Sequence, residues 1–273
     1  MSNEKFKSVL TVLLVLLLVA VTGCNTQQKT SDLQAGDNSL KNIKDKGTLI
    51  VGADIPYGMM EFFDESGNPQ GVDVEIARRI ASDIGVKLEF KDYIWENLFD
   101  AVKNGEVDFA ISSITITPER ANEMLFSSPY FNAGQVIVVE KDNNDINGPL
   151  DFEGKKIGVQ IDSTGEEEVL KYTNSSMIIT YPGYELGVET GMIYDLKTGT
   201  TDAIVLDFIA AVDIVKNEPT LMIAGEPFTQ EFYGIASKTE NVLLMDEVNT
   251  ILRQLKSDGS LNAIIKKYAV ADE

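Results

Sequence analysis

From Thr48 onward, short apolar runs alternate with stretches whose apolar residues recur three or four positions apart, and this alternation limits the fold more than any other feature. Thr48-Leu-Ile-Val-Gly52 predicts a strand, and Val72, Ile76, Ile80 and Ile84 form one helical face. Residues 87–90 predict a second strand, 98–102 a short helix closing at Asn104-Gly105, and 107–111 a third strand. After the apolar run 135–140, a polar loop over 141–150, rich in Asn, Asp, Gly and Pro, marks a crossing into a second domain. The pattern then repeats: strands at 156–159, 177–180 and 201–207, a helix over 187–197, and a return strand at 232–237. The closing helices, 242–256 and 261–268, are assigned to the first domain. An α/β fold follows, in which right-handed crossovers build mostly parallel sheets flanked by helices. Ligands of such sheets lie beyond the carboxyl ends of the strands, where Asp54 and 112–115 fall.

The segment 108–120 carries the first chemical hint. Ser112, Ser113 and Thr115 set hydroxyls and amides at the end of a buried strand, and Thr117-Pro118 reads as N-cap and first helical residue. Arg120 then falls in the first helical turn, where the helix dipole disfavours a cation. An anion bound there resolves the mismatch: a carboxylate can take a forked bond from Arg120 with help from Ser113 and Thr115. The plainer alternative is a surface pair with Glu119 or Glu123.

The formal charge of -20 argues against nucleic acid and against adsorption to anionic lipid. With no histidine and one cysteine, the commonest catalytic base, intrachain disulfides and thiolate metal clusters are excluded, and no cofactor or metal is expected. The cysteine sits where it is informative. Lys5 and Lys7 precede an apolar run, 9–21, too short to span a bilayer comfortably, and Val21-Thr-Gly-Cys24 follows. The tetrapeptide resembles the lipobox of bacterial lipoproteins, which implies a signal peptide over 1–23 and an extracytoplasmic protein anchored to the cell membrane through lipid, palmitate included, on Cys24. A plain secretory signal or an uncleaved anchor are the alternatives. Residues 24–39 form a polar, disordered tether; 25–39 alone would reach about 50 Å when stretched.

Several short motifs stand in a telling order: Val51-Gly-Ala-Asp54 with Tyr57, Gly71-Val-Asp-Val-Glu75, Ser113 through Arg120, Phe126-Ser-Ser-Pro-Tyr130, Gly154-Lys-Lys-Ile-Gly-Val159, and Asp202 through Asp207. Together, across 40–271, the chain resembles the bacterial extracellular solute-binding proteins of polar amino acid ABC transporters. The resemblance implies a two-lobed periplasmic-binding-protein type II fold with two hinge strands, with lobe 1 at 40–138 and 232–273 and lobe 2 at 139–231. It implies that the lobes close on a free amino acid, which a monomer delivers to a membrane permease. Carried over residue by residue, Arg120 forks the α-carboxylate with Thr115 and the amide of Ser163 or Thr164. Asp207 and Ser113 accept from the α-ammonium, Ser112 belongs to the same strand end, and Asp54, Tyr57, Trp95 and Gln160 line the side-chain pocket. Asp207 as a helix cap and Trp95 as ordinary core are the competing readings.

One departure stands out: Gly58-Met-Met-Glu-Phe62 replaces the family's more usual Pro-Pro-Phe-Glu-Phe, which softens one wall of the pocket. Asp54 beside Tyr57 and Trp95 favours a cationic side chain, with a glutamine-like ligand the alternative. Two other classes share the scaffold. An enzyme such as a dehydratase or lytic transglycosylase would need Asp54, Glu61 or Asp207 for acid-base work. A receptor's sensing module would call for a membrane helix and a signalling domain after the fold.

Overall fold

The computed structural model describes residues 36–182 and 188–269. The expected signal peptide, Cys24, most of the tether and Gly187 lie outside the described residues.

Helix α1 (Ser39–Lys46) ends at Gly47, whose left-handed φ of 69° turns the chain into strand β1 (Thr48–Ala53). A hairpin follows, β2 (Phe62–Phe63) with β3 (Pro69–Gln70), then helix α2 (Val72–Ile84). Gly71, between them, has φ 121°, and a Cβ there would stand 2.2 Å from the Met60 carbonyl oxygen, so only glycine fits. α2 buries the expected face: Val72, Ile76, Ile80 and Ile84 all lie in the core. Strand β4 (Lys87–Asp92), helix α3 (Trp95–Asn104) and strand β5 (Phe109–Ala110) follow. β5 is shorter than the run 107–111, because only these two residues join the ladder. Helix α4 (Pro118–Glu123) leads to strand β6 (Leu125–Phe126) and strand β7 (Phe131–Ala133).

The second sheet starts at β8 (Gln135–Glu140) and gains β9 (Ile157–Gln160), helix α5 (Thr164–Val169), β10 (Ile178–Tyr181), helix α6 (Val188–Lys197), β11 (Ala203–Asp207), helix α7 (Phe208–Asn217) and β12 (Leu221–Ala224). Its order is β10-β9-β11-β8-β12, with β8 antiparallel to both neighbours. Alternate residues of β8 enter different cores, Val136 and Val138 on one face and Ile137 and Val139 on the other. A strand covered on both faces loses its polar alternation. The run 135–140 therefore carried no mark of the sheet it joins, and the expected boundary at 138/139 is corrected: the crossing precedes Gln135.

The chain returns through β13 (Glu231–Tyr233) to β14 (Ala236–Ser237), which completes the first sheet in the order β4-β1-β5-β14-β6. Helices α8 (Val242–Ser257) and α9 (Ser260–Ala269) pack on that first lobe, with Leu244, Val248, Leu252 and Leu255 in its core. Each such burial contributes about 1.5–3 kcal/mol. β7 and β13 pair antiparallel, Glu231 with Ala133 and Tyr233 with Phe131, and these are the two hinge strands between the lobes. The two-lobed type II architecture is thus present. Among the described residues no helix is long and apolar enough to cross a membrane.

Candidate functional site

One cavity between the lobes is lined by Asp54, Tyr57, Trp95, Ser112, Ser113, Thr115 and Arg120 from the first lobe, and by Gln160, Ser163, Thr164 and Asp207 from the second. All the candidate ligand-binding residues named from the sequence therefore meet, whereas Glu61, the acid named for the enzyme alternative, does not line the cavity. Topology explains the convergence: Asp54 follows β1, Ser112 follows β5, Gln160 ends β9 and Asp207 ends β11, all at strand carboxyl ends.

Arg120 is the cation of the cavity wall. The Thr117 hydroxyl caps α4 by accepting from the Arg120 backbone N–H at 3.2 Å, with Pro118 in the first helical position, as the sequence predicted. Its guanidinium donates to the carbonyl oxygens of Thr115 (3.0 Å) and Asp162 (3.2 Å). It also lies over two rings, 5.4 Å from the centre of Trp95 and 5.0 Å from that of Phe99. The plainer surface pairing is not what forms, since Glu123 bonds Lys103. Burial lowers the Arg120 pKa, while Glu167, Asp207, Glu231 and Asp162 pull the other way. The Trp95 indole N–H donates to the Asp162 carbonyl as well, at 3.2 Å. Asp162 adopts a left-handed φ of 55°, a conformation that Asp tolerates better than most residues. Trp95 is both core and cavity wall: it is 7% exposed and packs edge-on against Phe99.

The wall also carries acids. Asp207 accepts from Gln135 (2.5 Å) through one oxygen and from the Tyr57 (2.9 Å) and Tyr233 (2.6 Å) hydroxyls through the other. It stands at the N-cap of α7 but makes no capping bond, so the helix-cap alternative fails. Burial and then the Glu231 charge raise its carboxyl to about 6, while the three donors hold it down. Asp54 is raised to about 7 by burial and then by Asp92, Glu189 and Glu96. Glu189, on α6, is likewise raised to about 7, by burial first and among other groups by Asp213 and Asp207. Two buried atoms on the cavity wall have no hydrogen-bond partner among the described residues, the Ser113 hydroxyl oxygen and the Gln135 amide oxygen. Both can accept from an ammonium group.

Glu231, on hinge strand β13, joins the lobes. One of its oxygens accepts from the hydroxyls of Thr115 (2.8 Å) and Thr164 (2.7 Å), which belong to opposite lobes, and the other accepts from Thr229 (2.9 Å). A hydroxyl has a single proton to give. The Thr115 hydroxyl is therefore committed to Glu231 here and does not donate into the cavity.

Sequence reasoning missed Gln135, Glu189, Met192, Val205 and Leu206 on the wall, and Glu231 beside it. Gln135 carried a usable signal, a polar residue opening a wholly apolar run. Glu189 and Met192 lie three apart on one face of α6, but the helical pattern gave no hint of which lobe they meet. Among the described residues, no group of three or more His, Cys, Asp or Glu side chains is arranged to hold a metal ion.

Residues 49–271 match the family described as bacterial extracellular solute-binding proteins, family 3. The L-cystine-binding protein TcyJ of Escherichia coli (strain K12) is 31% identical over 240 residues, covering 87% of this chain and 88% of TcyJ. The structure of holo ArgBP from T. maritima is 37% identical with a TM-score of 0.74, covering 82% of this chain and 98% of that one. An ancestral amino acid-binding protein described as a precursor of cyclohexadienyl dehydratase is 31% identical with a TM-score of 0.75, covering 84% of this chain and 99% of that one. A match across nearly the whole folded region, on a two-lobed frame with its cleft at the strand ends, makes this chain a member of the bacterial extracellular solute-binding proteins, family 3.

Proposed function

We propose that the protein captures a cationic amino acid of the arginine or lysine type in this cleft and delivers it to an ABC transporter permease. The observation that carries the reading is the charge set of the cavity wall: a single guanidinium, Arg120, against three carboxyls, Asp54, Glu189 and Asp207. A buried zwitterion needs both a cation and an anion from the protein before it will leave water. Arg120 is suited to the α-carboxylate through its forked donors. Asp207, the Ser113 hydroxyl and the Gln135 amide oxygen are suited to the α-ammonium. Asp54 and Glu189, one from each lobe, are then left for a second positive group, with Tyr57 and Trp95 beside it.

Kinship with an arginine-binding protein supports the same class. Calorimetric titration with the standard amino acids tests it: arginine or lysine should bind tightest, glutamine more weakly, and aspartate or glutamate least. Tightest binding of an acidic ligand would overturn the charge argument. Closure is a population shift, since a ligand that touches both lobes favours the state in which they meet. We read the protein as a binder rather than an enzyme, because the acids on the wall are accounted for by a ligand's positive groups. A turnover assay on the tightest ligand should return it unchanged.

The anchoring follows from the leader motif: signal peptide 1–23 removed, lipid on Cys24, and a monomer held outside the cytoplasm at the cell membrane. Mass spectrometry of the mature N-terminus checks this, and Cys24→Ala should release the protein from the membrane fraction.

A further inference from the structure

Behind the floor of the cavity, two carboxyl groups meet without a cation. Glu61 and Asp73 are 0% and 1% exposed and lie close enough to interact directly. The backbone brings them together, because the N–H groups of Val72 and Asp73 bond the carbonyls of Met59 (3.2 Å) and Met60 (3.0 Å). One Glu61 oxygen accepts from the Ser112 hydroxyl at 2.8 Å, and that hydroxyl oxygen accepts from the Asp54 backbone N–H at 2.9 Å. One Asp73 oxygen accepts from the Ser113 N–H at 2.7 Å and from the Tyr130 hydroxyl at 2.9 Å. The second oxygen of each, Glu61 Oε2 and Asp73 Oδ1, is buried and has no partner among the described residues other than the opposing carboxyl.

Two anions side by side in a dry interior repel strongly, and a pair of carboxyls sharing a site keeps one proton. Asp73 already receives an N–H and an O–H, which favours its charged form, whereas Glu61 receives one hydroxyl. Burial, then the Asp73 charge, pushes the Glu61 carboxyl well above its ordinary range. The other titratable groups that face the pair are Asp54, Tyr57 and Tyr130, and none of them is a cation.

We propose that Glu61 and Asp73 share one proton, carried by Glu61, and that the pair acts as positioning residues for the ligand cavity. The neutral acid donates to Asp73 and holds the Ser112 hydroxyl, and through it the main chain at Asp54. The anion holds the amide of Ser113, whose left-handed φ of 51° turns its side chain to the cavity wall.

Glu61→Gln mimics the protonated acid, with an amide to donate and a carbonyl to accept, whereas Asp73→Asn removes the anion that three donors converge on. Infrared difference spectra of wild type and Glu61→Gln at about pH 8 read the proton directly. A protonated carboxyl band should be present in wild type and missing from Glu61→Gln. Thermal melts across pH give a second reading. A carboxyl held protonated by burial costs stability as pH rises, so Glu61→Gln should gain melting temperature over wild type progressively from about pH 5 to about pH 9. Neither measurement uses a ligand, so their failure is separate from failure of the cationic-ligand reading. In amino acid titrations, which rest on that reading, Glu61→Gln should bind within about threefold of wild type and Asp73→Asn should lose tenfold or more. A band that survives in Glu61→Gln, a melting difference flat with pH, or equal losses of affinity in the two variants would each overturn the proposal.

Discussion

The cation and the acids of the cavity wall differ in how completely the protein has answered their charges. Arg120 is met by neutral groups, two carbonyl oxygens and two aromatic faces, so it is held rigid yet stays unneutralised. Among the acids, three donors saturate Asp207, while burial first and neighbouring acids second raise Asp54 and Glu189 both to about 7. A fixed cation keeps its charge whatever the solvent does. Acids poised near neutrality take their charge from what binds between them. Arg120 should therefore govern whether any amino acid binds, and Asp54 and Glu189 should govern which.

The largest effect tests the first half of that contrast. Arg120→Ala should cost about 3–5 kcal/mol, enough to abolish useful binding of every amino acid while the fold survives. Near-normal affinity in a calorimeter would erase the distinction. Asp54→Asn should cost about 1.5–3 kcal/mol for arginine and much less for glutamine, with Glu189→Gln in the same direction. Equal losses for both ligands would mean that these two carboxyls do not select.

A smaller effect comes from pH. The ordinary values of Asp54 and Glu189 are 3.8 and 4.5 and the folded values are near 7, so their contribution to stability is present at acid pH and lost as pH rises through 7. A cationic ligand reverses the sign, because it favours the charged forms and binding releases protons. Arginine affinity should therefore fall up to about tenfold from about pH 8 to about pH 6, with the proton release visible as a buffer-dependent heat. The smallest expected change is Tyr233→Phe, about 0.5–1.5 kcal/mol in stability from one lost bond to Asp207, with all ligands affected alike.

Legibility in the sequence follows a similar divide. Features fixed by local chemistry were readable: the helical face of α2, the Thr117-Pro118 start of α4, and the glycine stop at Gly105. Residues at strand carboxyl ends were readable as cavity candidates once the alternation was seen. What escaped depends on contacts across the chain. Gln135 matters because β8 runs antiparallel beside β11 and so brings it to Asp207, 72 positions away. Glu61 stood in the sequence only as an acid for the enzyme alternative and Asp73 only within the 71–75 motif, and the close approach at Gly71 shows them to be a buried pair. The Trp95 and Arg120 bonds to the Asp162 carbonyl, and the paired Thr115 and Thr164 bonds to Glu231, exist only where the lobes touch, and no local pattern encodes that meeting.

Glu231 has a consequence for how closure is registered. Because it sits on a crossing strand and collects a hydroxyl from each jaw, the angle between the jaws and the local conformation of that strand are mechanically linked. A probe on the neighbouring Phe232, 40% exposed at the surface, would serve as a gauge of jaw angle without touching the cargo.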